Sequence, residues 1–560
     1  MPVTVGRTDN KRAADLFYDL ALAMELQGER WRANSYYRAA KSLEELGEHI
    51  RSISERRELR RIEGVGESIE AKLDEFLTTG RISALEGVRD ILPEDLDLLR
   101  DIPPLGTRKL ADLDILLGIR SVDELLRAAY EGRLAELPDF DEGDDRKVLE
   151  YLTWKREEAA DIPTPYALRS AHRIIDYLRE TDGLKRIEIA GPVRRRVTTV
   201  ANVTLLFSSS RPDAVIARFG LSPEVTELTT VEREEAVGRT SSGAACMVRS
   251  VKEESFGLEL LKATGPDQHV RELSNLAKEQ GHRLTPTGLG KDRTRIEEGI
   301  YNALGREYLR PECRDGRKPH HGELLGRHNL LGDLHVRSTS FDGGLRVLEM
   351  AGAARNLGHK YVCIVDRVGG RRMDPQTMER RNELIDTASD ILGMPILKGA
   401  EVSITPDGTV DYSPSALEQL DMVIGTVNTK VDMPGEEMTD RLVKAMDEPN
   451  LDVIGHPTNR VIGLREPAAI DLRRVAEAAA DRMVALEVNA YPDRLDLSDE
   501  HIYNLYDTGV LFSLGTDAAF PNELGYWEWA VTMSARAFLT VDRALNAMDA
   551  DKIRGRRWRS

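Results

Sequence analysis

Residues 187–207, IEIAGPVRRRVTTVANVTLLF, contain the side chains whose type and spacing bear most directly on chemistry. The pattern predicts a strand, a Gly-Pro turn, an arginine cluster and a second strand. Asn202 and Thr204 are two residues apart on the second strand, so their side chains leave the same face. A site that clamps a triphosphate with two Mg²⁺ ions needs anionic oxygens at such positions. Both positions are neutral here, and the stretch alone is also typical of an ordinary αβ hairpin.

The arginine cluster in this stretch consists of Arg194, Arg195 and Arg196. A guanidinium group matches the oxygens of a phosphate in bidentate fashion, so the cluster is a candidate site for a triphosphate or a DNA phosphate. A solvated surface cluster is the alternative that the sequence leaves open.

A second kind of site is predicted at residues 60–80, RRIEGVGESIEAKLDEFLTTG, where Gly64, Val65 and Gly66 form a turn between two amphipathic helices. This helix-hairpin-helix pattern lets backbone N–H groups and a helix N-terminus approach a DNA phosphate. The preceding residues 10–46 predict two helices broken at Gly28, the second with a basic side that is either solvated or part of the same surface.

The hairpin pattern recurs at residues 102–119 and, more faintly, at residues 137–152. In the second copy Pro104 replaces the first glycine, while Gly106, Arg108 and Lys109 remain to contact a DNA backbone. In the third copy Asp139 and Asp141 replace both glycines, and their carboxylates would repel a phosphate. We therefore expect DNA binding from the first copy, leave the second open as a further contact, and expect only a folded hairpin from the third.

Composition limits the class of protein. The chain has 560 residues and a formal net charge of −18, which argues against nucleic-acid binding by bulk electrostatics and leaves room for local basic surfaces. It contains neither a run of about 18 apolar residues nor a leader pattern, so we expect a cytoplasmic, nucleoid-associated protein with no membrane partner. Cys246, Cys313 and Cys363 form no CxxC pair and are expected to be reduced.

From residue 331 onward, apolar strands such as YVCIV, MVIGTV and VALEVNA alternate with helical stretches. This alternation predicts a parallel barrel with functional residues at the carboxyl ends of its strands. The last residues, RGRRWRS, are basic with one tryptophan, and they are open to two interpretations: a nucleic-acid contact or a frayed tail.

The order of these segments over nearly the whole chain resembles the prokaryotic family X DNA polymerases that carry a C-terminal PHP domain. The resemblance implies a multidomain fold: α-helical helix-hairpin-helix domains, an α/β nucleotidyl-transferase-like palm with a thumb, and a distorted (β/α) barrel. The implied domains are a helical DNA-binding domain, a fingers-like helical domain, a degenerate palm, a thumb-like domain, a linker and the PHP domain, at residues 1–95, 96–158, 159–240, 241–315, 316–330 and 331–560.

The palm departs from the family pattern at its metal-binding positions. The two metal-binding aspartates fall on Asn202 and Thr204, and the third falls on Met247. The motif serine is Pro192. In the segment that is usually YFTGS, Lys262, Ala263 and Pro266 take the places of the aromatic pair and the serine. Because no carboxylate is left to hold Mg²⁺, we predict that polymerase activity is absent.

In active PHP domains, His, Asp and Glu side chains at the strand ends hold a metal cluster that cleaves phosphodiesters. By the resemblance, the retained positions are His335, Asp342, Glu401, His456 and Asp517, and the changed positions are Arg337, Arg367, Asn428 and Ala519. Arginine stays protonated and opposes a nearby metal ion. We therefore expect Arg337 and Arg367 to pair with Glu401, Asp517 and Asp342 in place of the metals.

These observations favour a pseudoenzyme that binds gapped or end-containing DNA in repair, with polymerase activity lost and phosphoesterase activity lost as well. Two alternatives stay open. One is a metal-dependent phosphoesterase or 3′-5′ exonuclease with Mn²⁺ or Zn²⁺ at a reduced PHP site. The other is a protein-interaction scaffold with weak DNA binding. The expected partners are DNA and a repair protein. No further cofactor is expected.

Overall fold

The computed structural model describes residues 9–93, 95–102, 105–130, 133–138, 140–141, 143–145, 147–149, 151–152, 162–290, 294–338, 345–369, 373–556 and 558. The chain divides into two compact units, residues 1–152 and residues 153–560. Each unit is described separately below.

The first unit is helical. Its helices are α1 (Asp9–Leu26), α2 (Arg30–Glu44), α3 (Ile50–Glu55), α4 (Glu67–Thr79), α5 (Ser83–Glu86), α6 (Leu96–Arg100), α7 (Thr107–Leu117) and α8 (Val122–Tyr130). α1 buries Phe17 and Leu20, which are spaced to lie on one helical face. The expected break at Gly28 is confirmed, since this glycine has a positive φ of 79° between α1 and α2.

The hairpin repeat is present in the backbone of its first two copies. Gly66 is the N-cap of α4 with φ −92° and ψ −178°, and Gly106 is the N-cap of α7 with φ −97° and ψ 166°. Neither residue has a capping side chain, so the first-turn N–H groups of both helices are not covered by a cap. Pro104 and Asp139, which the sequence analysis assigned to the second and third copies, lie outside the described residues.

The second unit begins with a palm-like layer of helices on a five-stranded sheet of order β2-β4-β7-β6-β5. Its strands are β2 (Leu184–Ala190), β4 (Asn202–Ser209), β5 (Val225–Val231), β6 (Glu235–Thr240) and β7 (Ala245–Ser250), and the short strands β1 (Ile162–Pro163) and β3 (Thr199–Val200) pair beside it. β7 lies between β4 and β6, so the sheet continues past residue 240, where the sequence analysis ended the palm.

Helices of this region fall into two sets. Those on the sheet are α9 (Thr164–Arg179), α10 (Gly191–Arg195) and α11 (Pro212–Phe219). Those that follow the sheet are α12 (Phe256–Thr264), α13 (Asp267–Glu279), α14 (Pro286–Leu289) and α15 (Glu297–Ala303). Phe256 and Leu260 of α12 pack against Ala190 and Leu206, which covers the sheet face that also carries Thr204.

The C-terminal region is a nearly closed parallel barrel, as expected. Its strands lie in sequence order and are β8 (Gly332–Val336), β9 (Tyr361–Arg367), β10 (Ile396–Ser403), β11 (Met422–Thr426), β12 (Val453–Ile454), β13 (Ala485–Asn489) and β14 (Leu511–Gly515). A parallel bridge from Val336 to Ala518 joins the last strand to the first. The strands are buried on both faces, which explains their continuous apolar runs.

Helices surround the barrel between its strands. They are α16 (Leu345–Asn356), α17 (Pro375–Leu392), α18 (Pro414–Leu417), α19 (Gly435–Ala445), α20 (Leu472–Arg482), α21 (Asp499–Leu505), α22 (Trp527–Arg536) and α23 (Ala550–Arg554). Across the described residues, none of the helices is both long enough and apolar enough to cross a bilayer.

Two segments that the sequence left without a predicted packing partner, the linker and the C-terminal tail, pack against the barrel. In the expected linker 316–330, His320 stacks on Tyr506 with ring centroids 3.7 Å apart, and the Leu325 N–H donates to the Leu539 carbonyl at 2.7 Å. In the basic C-terminal tail, Trp558 is buried in the core at the barrel end and Arg556 pairs with Asp452 at 2.8 Å. Trp558 is therefore not available to stack on a nucleic-acid base, as the nucleic-acid interpretation of the tail required.

Candidate functional site

The three palm positions that the resemblance assigned to metal-binding aspartates lie together. β4 and β7 pair in parallel with Thr204 opposite Met247 and Asn202 opposite Ala245. Gly191, with φ 70°, lies alongside, and a Cβ there would be in ordinary van der Waals contact with the Thr204 hydroxyl oxygen at 3.6 Å. At these positions the palm-like sheet presents an amide, a hydroxyl and a thioether in place of carboxylates. These residues do not fit a pair of Mg²⁺ ions, which need shared anionic oxygens.

Arg194 and Arg195, expected as phosphate-binding candidates, are engaged within the chain. Arg194 Nη2 lies 2.5 Å from Glu297 Oε2 on α15, and its Nη1 donates to the Thr264 hydroxyl at 2.9 Å. Glu297 is buried, which raises its pKa, but Arg194 and Arg314 together hold that pKa below its ordinary value. Arg195 donates to the Thr264 carbonyl and lies 3.4 Å from Asp315. The two side chains therefore tie α10 to the helices after the sheet.

Arg196 makes longer contacts than Arg194 and Arg195 do. Its guanidinium lies 5.6 Å from the Trp529 ring centroid and 3.9 Å from Glu528 Oε2, both on α22 of the barrel. On the same helix, the buried Arg536 donates to the Arg195 carbonyl at 2.6 Å and lies 3.0 Å from Asp499. The arginine cluster is thus mainly a structural joint between the palm-like sheet and the barrel, and Arg196 is its most accessible member.

In the first unit, the first hairpin lies directly on the basic helix α2. Gly64 has φ 80°, and a Cβ there would lie 3.1 Å from the Ala39 backbone nitrogen and 3.3 Å from Arg38 Cβ. Val65 is buried and anchors the turn, whereas a Cβ on Gly66 would meet open space. The hairpin therefore presents an unobstructed turn beside Arg38, as its predicted role in binding a DNA backbone requires.

Sequence reasoning missed two side chains of this helical region, Lys72 on α4 and Trp31 at the start of α2. Lys72 of α4 places its Nζ 5.8 Å from the Tyr36 ring, so a cation from the helix after the turn lies against α2. Trp31, at the start of α2, is 70% exposed, and the Arg32 guanidinium lies 5.3 Å from its ring centroid. An exposed indole beside cations is a platform on which a base can stack. The signal was available in the sequence as a tryptophan between two arginines.

In the second hairpin the structure separates the two expected cations. Arg108 lies over the Tyr37 ring at 5.6 Å, on the side of α2. Lys109 instead pairs with the buried Asp144 at 2.8 Å. Burial acts to raise the pKa of Asp144, but Lys109 and Lys147 outweigh it and lower that pKa to about 2. Lys109 therefore holds the third copy of the pattern in place, contrary to its expected role as a contact for DNA.

In the barrel, His335, Arg337, Glu401 and Asp517 converge at the carboxyl ends of β8, β10 and β14. Arg337 Nη2 donates to Glu401 Oε2 at 3.0 Å, and Arg337 Nε donates to Asp517 Oδ1 at 2.5 Å. Arg367 Nε lies 2.8 Å from the other oxygen of Glu401. The expected pairing of the two arginines with Glu401 and Asp517 is present, while Asp342 lies outside the described residues.

The electrostatics of this cluster follow from burial and pairing. Burial opposes the ionised form of Glu401, yet Arg367 and Arg337 hold its pKa well below the ordinary value. Burial likewise opposes the charged form of His335, but Glu487 and Asp517 raise its pKa to about 10. The cluster thus consists of carboxylates, guanidinium groups and an imidazolium.

Glu487 is the member that sequence reasoning missed. Its Oε1 lies 2.6 Å from His335 Nδ1, and its Oε2 accepts from the His456 backbone N–H at 2.6 Å. It lies on β13 among buried apolar residues, so a carboxylate on a buried barrel strand was the available signal. Asp517 and His456 both have positive φ, 54° and 29°, which is uncommon for residues other than glycine and frequent at functional sites.

The remaining changed positions form ordinary polar contacts. Asn428 donates to the Thr426 hydroxyl at 2.8 Å, and the Ala519 N–H donates to Glu523 at 2.8 Å. His456 is buried and its pKa is lowered, chiefly by that burial. Both ring nitrogens of His456 and Nε2 of His335 lack hydrogen-bond partners among the described residues.

The described residues do not fit the metal cluster that the resemblance implies. Both oxygens of Glu401 and one oxygen of Asp517 already face guanidinium nitrogens, which are donors and cannot ligate a metal. The described part of the chain likewise contains no group of three or more His, Cys, Asp or Glu side chains placed to hold a metal ion. The cations now stand where a metal ion would be needed.

A family model described as helix-hairpin-helix domain matches residues 8–82, and one described as DNA polymerase beta thumb matches residues 259–315. The chain is 29% identical over 499 residues to the DNA polymerase/3′-5′ exonuclease PolX of Bacillus subtilis (strain 168), covering 85% of this chain and 86% of that protein.

Shorter matches involve probable phosphatases. One from Thermoanaerobacter sp. (strain X514) is 27% identical over 218 residues, covering 37% of this chain and 86% of the phosphatase. Another from Caldicellulosiruptor saccharolyticus is 29% identical over 184 residues, covering 31% of this chain and 74% of the phosphatase.

Proposed function

The chain belongs to the prokaryotic family X DNA polymerases that carry a C-terminal PHP domain, and from this premise we propose that it is a non-catalytic member that binds gapped or end-containing DNA in repair. A location beside the nucleoid in the cytoplasm and a repair-protein partner are parts of the same proposal. The name of the Bacillus subtilis relative includes polymerase and 3′-5′ exonuclease activity, and we propose that this chain has neither.

One observation carries the proposal: Arg337 and Arg367 face the carboxylates of Glu401 and Asp517 at 2.5 to 3.0 Å. Hydrolysis by metal ions needs those oxygens as ligands, and a fixed cation beside them opposes ion binding. The palm supports the same conclusion independently, because Asn202, Thr204 and Met247 supply no carboxylate to a nucleotidyl-transfer centre.

DNA binding is supported by the first unit. The open turn at Gly64–Gly66 lies against α2, with Arg38 beside it and Lys72 on the following helix. Backbone N–H groups at the start of α4 and these cations are suited to phosphate oxygens. Trp31 adds a surface on which an unpaired base at a gap or an end can stack.

The test is binding of the full chain to a duplex with a one-nucleotide gap, followed by fluorescence anisotropy over a series of salt concentrations. We expect tighter binding to gapped than to intact duplex and a logarithmic affinity that falls linearly with the logarithm of salt. Lys72→Met should reduce the magnitude of that slope by about one. Arg473→Met, which removes an exposed cation of the barrel, serves as the matched control and should leave the slope unchanged.

Catalysis is assayed on the same DNA with Mg²⁺ or Mn²⁺. We expect neither nucleotide incorporation at the gap nor loss of 3′ nucleotides. Incorporation that copurifies with the protein and disappears in a Thr204→Ala variant would overturn the polymerase part of the proposal. A salt-independent affinity equal for gapped and intact duplex would overturn the DNA-binding part.

A second candidate function is a phosphoesterase with a reduced metal site. The observation in its favour is that both buried ring nitrogens of His456, whose pKa is lowered by burial, lack hydrogen-bond partners among the described residues, as the nitrogens of a neutral imidazole that can accept a metal would. Elemental mass spectrometry after loading with Mn²⁺ or Zn²⁺ and desalting decides between the two. A retained ion that is lost in Glu401→Gln, together with hydrolysis that is lost in the same variant, would establish the second candidate.

A further inference from the structure

The outer edge of the palm-like sheet is formed by β5 (Val225–Val231), whose sequence is VTELTTV. In the strand order β2-β4-β7-β6-β5 this strand has a neighbour on one side only, within the part of the chain that the structure describes. The residues after Val225 are exposed, and Leu228 and Val231 are 43% and 60% exposed. Such an edge offers backbone N–H and C=O groups to a further strand.

The sequence of β5 is nearly the same in both directions about Leu228. If two copies of the strand pair antiparallel with Leu228 at the centre, each residue meets its like except at one pair of positions. Val225 then faces the partner's Val231, and Thr226 faces the partner's Thr230. Like β-branched residues opposite one another stabilise an antiparallel pair.

The single charge of the strand fits the same arrangement. Glu227 would face the partner's Thr229. The two carboxylates would therefore not lie directly opposite each other, which avoids the destabilisation that directly opposed like charges cause. Leu228 would face the partner's Leu228. Leu228 also lies against Gly220, since a Cβ added to that glycine would be only 2.7 Å from Leu228 Cδ1. Leu221, the residue after Gly220, is exposed as well. An apolar surface therefore borders the centre of the strand.

We propose that β5 pairs antiparallel with β5 of a second copy of this chain, about a two-fold axis at Leu228, to form a ten-stranded sheet across the dimer. The symmetry of the sequence is what identifies a second copy as the occupant, since a closed two-fold contact requires one surface that is complementary to itself. This proposal goes beyond DNA binding and is independent of it.

Two register shifts in the pairing of β5 with β6 limit the strength of the contact. They are held by the Thr226 and Thr229 hydroxyls, which donate to the Arg239 and Val237 carbonyls at 3.2 and 3.1 Å. Such bulges increase twist and shorten the regular stretch that a partner can pair with. We therefore expect a weak dimer that dissociates on dilution, as small interfaces do.

The first test is disulfide formation in the full chain under mild oxidation. At Leu228→Cys, paired Cα atoms would be about 4.5 to 5.5 Å apart, within the range of a disulfide. At Val231→Cys, the same register places the two sulfur atoms roughly 20 Å apart. Random collision would favour the more exposed Val231, so preferential cross-linking of Leu228→Cys is specific to the proposed axis. Wild-type chain, with Cys246 and Cys363 buried, gives the background.

The second test is sedimentation over about a hundredfold range of protein concentration. Wild-type chain should show a dimer that grows with concentration, and both Leu228→Lys and Leu228→Asp should be monomeric because like charges meet at the axis. An equimolar mixture of these two variants should recover the dimer. Ile391→Lys, on an exposed site of α17, should behave as wild type. A wild-type chain that stays monomeric, or stronger cross-linking at Val231→Cys than at Leu228→Cys, would overturn the proposal.

Discussion

The sharpest consequence of the barrel geometry concerns replacement of Arg337 by methionine. Arg337 donates to Glu401 at 3.0 Å and to Asp517 at 2.5 Å, and both carboxylates are buried. Methionine keeps much of the volume of the side chain and removes the charge. Because removal of one partner leaves buried charge uncompensated, we expect the barrel to lose about 3 to 5 kcal/mol of opening free energy.

The measurement is amide hydrogen exchange by mass spectrometry on β10 and β14 in the full chain, which reports local opening without assuming two-state unfolding of a two-unit protein. Arg473→Met is the matched control: its partner Asp507 lies 2.9 Å away in an exposed, solvent-screened pair, so we expect no detectable change in exchange on β10 and β14. In the combination of Arg337→Met with Glu401→Gln, the loss should be smaller than the sum of the two single losses.

The reasoning fails if Arg337→Met opens the barrel no more easily than Arg473→Met does. It also fails if Mn²⁺ or Zn²⁺ already stabilises the wild-type barrel, since the neutralising charge would then come from the ion and not from the arginine. Both results are visible in the same exchange experiment, run with the metal and with a chelator.

Two further predictions concern the barrel. His359 is 7% exposed and packs edge-on against Trp527, and burial, with Arg327 nearby, lowers its pKa to about 4. Since the unfolded chain takes up this proton near pH 6.5, stability should be full above that pH and fall by up to about 3 kcal/mol toward pH 4. The free energy of unfolding, measured with urea at a series of pH values, should decrease less toward pH 4 in His359→Phe than in the wild type. An equal pH dependence in the two proteins would contradict the attribution to His359. The double replacement Arg337→His and Arg367→His should raise the retained Zn²⁺ to about one ion or more per chain by elemental analysis; retention equal to wild type would contradict the view that the guanidinium groups exclude the metal.

Local patterns made part of this architecture predictable. Alternation along one strand was enough to place Asn202 and Thr204 on one face, because side-chain direction in a strand depends only on neighbouring residues. The hairpin glycines were recognisable for the same reason, since Gly64 needs a positive φ that few other residues adopt. The parallel barrel followed from apolar runs that repeat between helices.

Partners that are distant in the chain were not predictable. The sequence shows Arg194 and Arg195 as free cations, yet their partners Glu297 and Asp315 lie about a hundred residues later, and only the fold brings them together. Lys109 was assigned to DNA for its place in a motif, whereas its charge is used by Asp144. In each case a surface charge and a structural ion pair look alike until the tertiary contacts are known.

The balance of charge in the barrel would make a metal centre difficult to regain. Among the described residues, Arg337, Arg367 and the imidazolium of His335 face Glu401, Asp517 and Glu487, so cations and carboxylates are matched without an ion. Removing any one member leaves a buried charge unpaired, whereas replacing a pair together is tolerated far better. Recovery of a metal centre would therefore need changes at both Arg337 and Arg367 together with an ion that supplies the lost positive charge, because without the ion each change leaves Glu401 or Asp517 uncompensated.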